Sequence, residues 1–248
     1  MKKTLAENKN IKNIIEETKL KHIAIIMDGN RRWAKSKMLP SAAGHKMGVE
    51  ALRKTLKACK KFGIKYLTVY AFSTENWNRS KEEVDFLMSL LAKTIVKEVP
   101  EFIEQDIRLT FIGDRKSLSK EINDVLEFGE EKTLKCNSLN LQIAFNYGSR
   151  MEITNAVKEI CKKVLDGKMS IDDINVDTFE QNLYTYGIDP IDLMVRTSGE
   201  ERLSNFLPWQ LAYSEFIFTK CYWPDFNKKE LYECIDEFQS RNRRFGGL

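Results

Sequence analysis

Asp28 heads the segment Asp28-Gly29-Asn30-Arg31-Arg32-Trp33, directly after the apolar run Ile23-Ala24-Ile25-Ile26-Met27. A short continuous apolar run reads as a buried strand, and Gly29 with Asn30 permits a sharp turn at its end. In open α/β sheets the carboxyl ends of the strands are where ligands bind. A carboxylate placed there can hold a hard cation through oxygen, and Arg31, Arg32 and Lys35 bring positive charge close behind it. One carboxylate beside several cations is what a metal-bound pyrophosphate requires. The same residues also suit a plain tight turn leading into a solvated basic helix.

Other strand-like segments end in a similar way. Tyr66 to Tyr70 leads into Ala71-Phe72-Ser73-Thr74-Glu75-Asn76-Trp77-Asn78-Arg79, and Leu193-Met194-Val195 into Arg196-Thr197-Ser198-Gly199-Glu200. The segment 140–145 is followed by Asn146-Tyr147-Gly148-Ser149-Arg150. Each alone is ordinary turn chemistry. Arginine recurring at successive strand ends predicts an anion-binding rim, because its planar fork matches phosphate oxygens. The candidates for anion contact are Arg31, Arg32, His45, Arg79, Arg196, Arg202 and Ser204. His45 follows Gly44 at the approach to a helix expected to begin near Val49, and a helix start favours anions.

Hydrophobic patterning supplies the elements that must position these groups. Strands are expected over 23–27, 66–72, 108–112, 140–145, 193–196 and 216–219, with helices over 49–62, 84–99, 119–135, 151–165 and 229–239. Such alternation implies an α/β fold: an open, mostly parallel sheet of about six strands with helices on both faces. The helix from Val84, rich in Leu and Ile, is expected to stop at Pro100. Its wide apolar face suits either the core or one wall of a hydrophobic tunnel for a hydrocarbon.

The 248 residues, 42% of them hydrophobic, suffice for one large α/β domain from 22 to 248 behind a polar extension over 1–21. A net charge of +4, from 40 basic and 36 acidic residues, argues against a nucleic-acid binder. Five scattered cysteines without a Cys-x-x-Cys pair read as reduced thiols of a cytoplasmic protein. Neither a secretory leader nor a run long enough to span a bilayer is evident. Asp172-Asp173 with Asp177 misses the spacing of the magnesium motif of all-trans prenyl synthases, and no P-loop exists.

The segments His22 to Asn30, Gly44-His45-Lys46, Tyr70 to Arg79, Asn146-Tyr147-Gly148, Arg196 to Glu200, Arg202 to Phe206, Trp209-Gln210 and Trp223-Pro224-Asp225-Phe226 resemble, in order, the motifs of the cis-prenyltransferase family. The resemblance implies that an allylic diphosphate, expected to be farnesyl diphosphate, is extended by successive isopentenyl diphosphate units to a long cis-polyprenyl diphosphate. Undecaprenyl diphosphate, the lipid carrier for wall polymers, is the favoured product. By resemblance, Asp28, Ser73 and Asn76 are the catalytic candidates. Gly29, Asn30, Arg31, Arg32, Trp33, His45, Trp77, Arg79, Arg196, Arg202 and Ser204 bind substrate, and Asp28 and Glu215 hold Mg²⁺. It further implies a homodimer whose tail, with Arg244-Phe245-Gly246, completes the site across the interface, and peripheral membrane contact for product release at the inner surface.

Two departures from the family pattern stand out. Arg31 replaces the common glycine of Asp-Gly-Asn-Gly-Arg-Trp, and Ser41 stands where many relatives carry an arginine before Gly-His. Competing readings are a shorter-chain synthase, a non-catalytic partner subunit of the same fold, and a phosphate-binding hydrolase. Retention of Asp28 and of the phosphate-binding set weighs against the partner subunit. No evident nucleophile supports the hydrolase.

Overall fold

The computed structural model describes residues 15–17 and 19–241. Six strands form one parallel sheet: β1 (His22–Ile26), β2 (Tyr66–Ser73), β3 (Ile107–Ile112), β4 (Leu139–Tyr147), β5 (Leu193–Arg196) and β6 (Glu215–Phe218), ordered β3-β4-β2-β1-β5-β6. The helices are α1 (Asn30–Ser36), α2 (Ser41–Phe62), α3 (Lys81–Glu104), α4 (Lys120–Lys132), α5 (Ser149–Leu165), α6 (Val176–Glu180) and α7 (Lys228–Gln239). Sheet and helices thus follow the expected alternation, and every strand pairing is parallel.

Period-two alternation along β1 divides the core. Ile23 and Ile25 join Leu67 and Val69 in the larger cluster, packed under α2, α3, α4 and α7 through Leu56, Ile95, Leu126 and Ile235. Ala24 and Ile26 face the smaller cluster with Met194, Tyr147, Phe206 and Leu207. All five residues of β1 are buried, as befits a strand covered on both faces. Burying each large apolar side chain is worth about 2 kcal/mol, so the position of Asp28 just past this strand is firmly set. The polar segment ahead of the sheet is tied to it as well: Leu20 is buried, and the Lys21 N–H donates to Asp192 at 2.8 Å.

Two helix boundaries depart from the sequence reading. α2 begins at Ser41 rather than near Val49, so His45 lies inside the helix and not at its approach. Gly44 and Gly48 weaken the helical signal there. They are required because a Cβ at Gly44 would stand 2.0 Å from the Asn30 carbonyl oxygen, with a similar clash at Gly48 against the Asn30 side chain. α3 runs through Pro100 to Glu104 instead of stopping. The proline forfeits the bond to the Val96 carbonyl, on the exposed side of the helix, while Val99 and Phe102 remain buried and carry the helix onward.

Candidate active site at the carboxyl edge of the sheet

Asp28 lies just beyond β1, and Gly29 after it adopts φ +104°, where a Cβ would meet the Ser198 hydroxyl and the Tyr222 ring at 2.8 Å. Only glycine suits that turn. The Asp28 backbone carbonyl accepts from the Thr197 hydroxyl at 2.7 Å and from the Trp223 N–H at 3.0 Å. Its carboxylate accepts from Arg196 Nη2 at 3.0 Å and pairs with Arg32 Nη2 at 3.1 Å. Burial alone would raise the carboxyl pKa, but the Arg196 hydrogen bond and the Arg32 charge prevail and hold it below the usual range.

Arg196, at the end of β5, is almost wholly buried, and its Nη1 donates to the Ser204 hydroxyl at 2.9 Å and to the Arg202 carbonyl. Arg32 donates to Glu200 at 2.7 Å, and Glu200 also binds Arg202. Ser198, Ser204, Asn205 and Leu207 all have positive φ. Non-glycine residues in that region cluster at functional sites, where surrounding contacts hold them. Arg196 supplies such a contact to Ser204.

On the other side of Asp28, Glu83 of α3 gathers a second cationic set. It accepts from Arg79 at 2.9 Å and lies 3.8 Å from Arg31 and 3.7 Å from His45 Nε2. The His45 separation is too long for a hydrogen bond. Burial, reinforced by the Arg79 charge, lowers the His45 pKa, so the ring is neutral at pH 7. α2 has no side-chain cap and no acid in its first turn, and Pro40 and Ser41 line the cleft, so the positive end of the helix dipole lies at the cleft wall.

Asp28, Asn30, Arg31, Arg32, His45 and Arg79 line a cleft of about 740 Å³. A second cavity of about 140 Å³ lies under it among Val49, Leu52, Leu87, Leu91 and Phe145. Met27, Asn30 and His45 line both, so the cationic cleft adjoins an apolar one. Among the described residues, the buried side-chain atoms without a hydrogen-bond partner include Asn30 Oδ1, His45 Nε2, Arg196 Nε and Ser198 Oγ. Such atoms are costly unless a ligand completes them. Of these, Arg196 Nε and Ser198 Oγ can donate to an anion, His45 Nε2 can donate only in one tautomer, and Asn30 Oδ1 can only accept.

A cationic cleft beside an apolar cavity is the arrangement a prenyl diphosphate needs. The family model described as "Putative undecaprenyl diphosphate synthase" matches residues 26–246. The chain belongs to the cis-prenyltransferase family. An isoprenyl transferase of Clostridium perfringens is 48% identical over 95% of this chain and 93% of that one. An isoprenyl transferase of Agrobacterium fabrum is 49% identical over 92% of each. Among solved structures, lavandulyl diphosphate synthase from Lavandula x intermedia, in complex with dimethylallyl diphosphate, aligns with TM-score 0.88 at 38% identity, covering 91% of this chain and 97% of that one. A probable undecaprenyl diphosphate synthase from Campylobacter jejuni aligns with TM-score 0.76 at 36% identity over 92% and 98%.

The residues expected to act are only partly brought together in this cis-prenyltransferase. Gly29, Asn30, Arg31, Arg32, His45 and Arg79 converge on the cleft, and Arg196, Arg202 and Ser204 meet behind Asp28. Trp33 instead points into the protein, donating its indole N–H to Asp225 at 2.8 Å. It anchors α1 and does not line the cleft. Ser73 and Asn76 form a capping box around a 3₁₀ turn (Thr74–Asn78), and the Ser73 N–H donates to Asn76 Oδ1 at 3.2 Å. Trp77 donates to Asn146 at 2.7 Å and packs edge-on against Phe72.

Glu215 is not brought to Asp28 within one chain. It opens β6 level with Leu193 and Ile23, at the far edge of the sheet, and pairs with Arg241 at 3.1 Å. Among the described residues no group of three His, Cys, Asp or Glu side chains could hold a metal. One carboxylate under a diphosphate pocket nevertheless fits Mg²⁺, which is commonly held by one or two carboxylates plus substrate phosphates. The expected tail contact at 244–246 lies outside the described residues. Sequence reasoning missed the bridging role of Glu200 and the Thr197 bond under Asp28. The acid among the arginines of 196–202 was the available sign.

Proposed function

We propose that this prenyltransferase joins an allylic diphosphate, farnesyl diphosphate being the expected starter, to successive isopentenyl diphosphate units. The product is then a long cis-polyprenyl diphosphate, expected to be undecaprenyl diphosphate. The observation carrying the proposal is that the cationic cleft and the apolar cavity adjoin, sharing Met27, Asn30 and His45 in their walls. A bound dimethylallyl diphosphate in the lavender relative supports the allylic class of substrate.

In this reading Gly29, Asn30, Arg31, Arg32 and His45 bind the allylic diphosphate, and its tail enters the cavity. Arg196, Arg202 and Ser204 hold isopentenyl diphosphate. The allylic carbon–oxygen bond breaks, pyrophosphate leaves with the electron pair, and the isopentenyl alkene forms the new carbon–carbon bond. Arg31 and Arg32 stabilise charge growing on the leaving group. Asp28 would hold Mg²⁺ together with the substrate phosphates, and the ion would supply further neutralisation of that charge. The proton lost from the isopentenyl unit passes to the departing pyrophosphate, since Ser73 and Asn76 cap a turn and neither is a strong base. Holding both diphosphates fixes the reacting carbons together. A homodimer in the cytoplasm, touching the membrane's inner surface for release, belongs to the same proposal; among the described residues no helix is long and apolar enough to cross a bilayer.

The test is incubation with Mg²⁺, farnesyl diphosphate and labelled isopentenyl diphosphate, with products resolved by chain length. Long labelled products, lost in Asp28→Ala, are expected. No incorporation with farnesyl, geranyl or geranylgeranyl starters would overturn the reading.

A further inference from the structure

Two charged residues, Arg53 and Glu98, stand in the wall of the mostly apolar cavity. Arg53 of α2 donates from Nε to Glu98 of α3 at 2.7 Å and from Nη2 to the other carboxylate oxygen, while Nη1 reaches Glu50. Both Arg53 and Glu98 line the cavity, and the Glu98 side chain is only 5% exposed. A buried ion pair is poor value for stability, since apolar residues of similar volume commonly serve as well. Its place suggests a different use.

The pair lies away from the diphosphate end. Along α2 it stands about 12 Å past His45, and along α3 about 22 Å past Glu83, at 1.5 Å per residue. Lys57 pairs with Glu101 at 2.9 Å just beyond, and Lys60 donates to the Gln105 carbonyl. Between these ends the α2–α3 seam is apolar, with Val49 and Leu52 opposite Leu87 and Leu91. The seam is therefore closed by charge at the far end and bare of it in the middle.

A cavity of about 140 Å³ falls below the roughly 300 Å³ at which pockets for drug-sized ligands begin. A chain growing by five carbons per cycle must therefore part a wall. The opposite wall is hydrogen-bonded sheet, which cannot open without losing its ladder. The α2–α3 seam can, and Pro100, just past Glu98, already lacks one backbone bond of α3.

We propose that Arg53 and Glu98 form a latch across the distal α2–α3 seam and set the hydrocarbon length at which the cavity opens. The role in product length rests on the elongation reading above. It is tested on the full chain by two readouts. The first, without turnover, is the affinity of n-alkyl diphosphates of increasing length. For wild type, affinity should rise by about fourfold per methylene and then level off once the closed cavity is filled. In Arg53→Met/Glu98→Leu the levelling-off should move to longer chains. The second readout is the product distribution from farnesyl and isopentenyl diphosphates, which should shift by at least one isoprene unit.

Exchanging the charges with the neighbouring acid neutralised, Arg53→Glu/Glu98→Arg/Glu50→Gln, should restore the wild-type limit, which a simple change of cavity volume would not. An unchanged limit in a double variant with wild-type melting would overturn the latch. Should the double variant not fold, Glu98→Gln, which keeps the contact and removes the charge, must shift the limit the same way or the latch is wrong. A shifted alkyl limit with no isopentenyl incorporation by wild type would uphold the latch and overturn elongation instead.

Discussion

Asp28 keeps its negative charge because of its neighbours. Burial pushes its carboxyl pKa up, and the Arg196 hydrogen bond with the Arg32 charge brings it below the ordinary value. A depressed carboxylate contributes stability above its unfolded pKa and loses it as pH falls through the folded one. Asp28 therefore stays ionised throughout the neutral range, so a fall in activity with acid above pH 5 does not report its protonation. Asp28→Asn keeps the shape and removes the charge; kcat for isopentenyl incorporation should fall by about 10²–10³-fold, the scale of losing one group that stabilises a charged transition state. Activity within tenfold of wild type would remove Asp28 from the chemistry. Ser41, at the open first turn of α2 in the cleft wall, offers a gain instead. Ser41→Arg should lower KM for the allylic substrate by about fivefold, the worth of roughly 1 kcal/mol of partly exposed ion pairing. An unchanged KM would show that Arg31 already compensates.

At the scale of elements, close contacts hold the cleft in shape. α1 and α2 meet where Gly44 leaves room for the Asn30 carbonyl, and a methyl there would stand 2.0 Å from that oxygen. Gly44→Ala must push the helices apart, moving Arg31 and Arg32 away from His45. Thermal and denaturant unfolding should show a loss of about 1–3 kcal/mol, and KM for the allylic diphosphate should rise with it. Full stability without a KM change would show that the helices yield freely. His22 anchors the start of β1 and is neutral: burial lowers its pKa to about 4, against weaker upward pulls from the Asp189 carbonyl and the Asp192 and Asp189 charges. The ring lies 2.7 Å from both the Asp189 carbonyl and the Thr68 hydroxyl. Because the unfolded chain takes up this proton first, stability present above pH 6.5 is lost as pH falls toward 4, by about 3 kcal/mol at the limit. The pH 7 to pH 4.5 difference in unfolding free energy should shrink in His22→Gln; an equal difference in both proteins would mean that His22 is charged in the fold.

For the whole molecule, position follows from topology. β1 sits between β2 and β5, so the chain leaves it toward opposite edges of the sheet, and the crevice at such a switch point is where ligands settle. Asp28, Ser73 and Arg196 follow or close those three strands. This much was legible in sequence, because apolar runs ending in Asp, Ser or Arg mark both strand and rim. The depth of the helices was less so, since Gly44, Gly48 and Pro100 depress local helical signal where tertiary packing favours the helix. Glu215 shows the other limit: a motif match gives a residue but not the edge of the sheet on which it lies. With Asp28 already paired to two arginines, and with no group of three His, Cys, Asp or Glu side chains placed to hold a metal among the described residues, the protein alone is a poor metal site. Calorimetric titration of the free protein with Mg²⁺ should show no saturable binding below the millimolar range. With a non-reactive farnesyl thiolodiphosphate bound, its phosphate oxygens add the missing charge, and saturable binding should appear at tens to hundreds of micromolar, about tenfold or more tighter for each 1.4 kcal/mol gained. Asp28→Asn should weaken that metal binding while leaving the diphosphate held by Arg31, Arg32 and His45. Tight Mg²⁺ binding to the free protein would instead demand a second carboxylate from outside this site, and Glu215→Gln would be the variant that decides it.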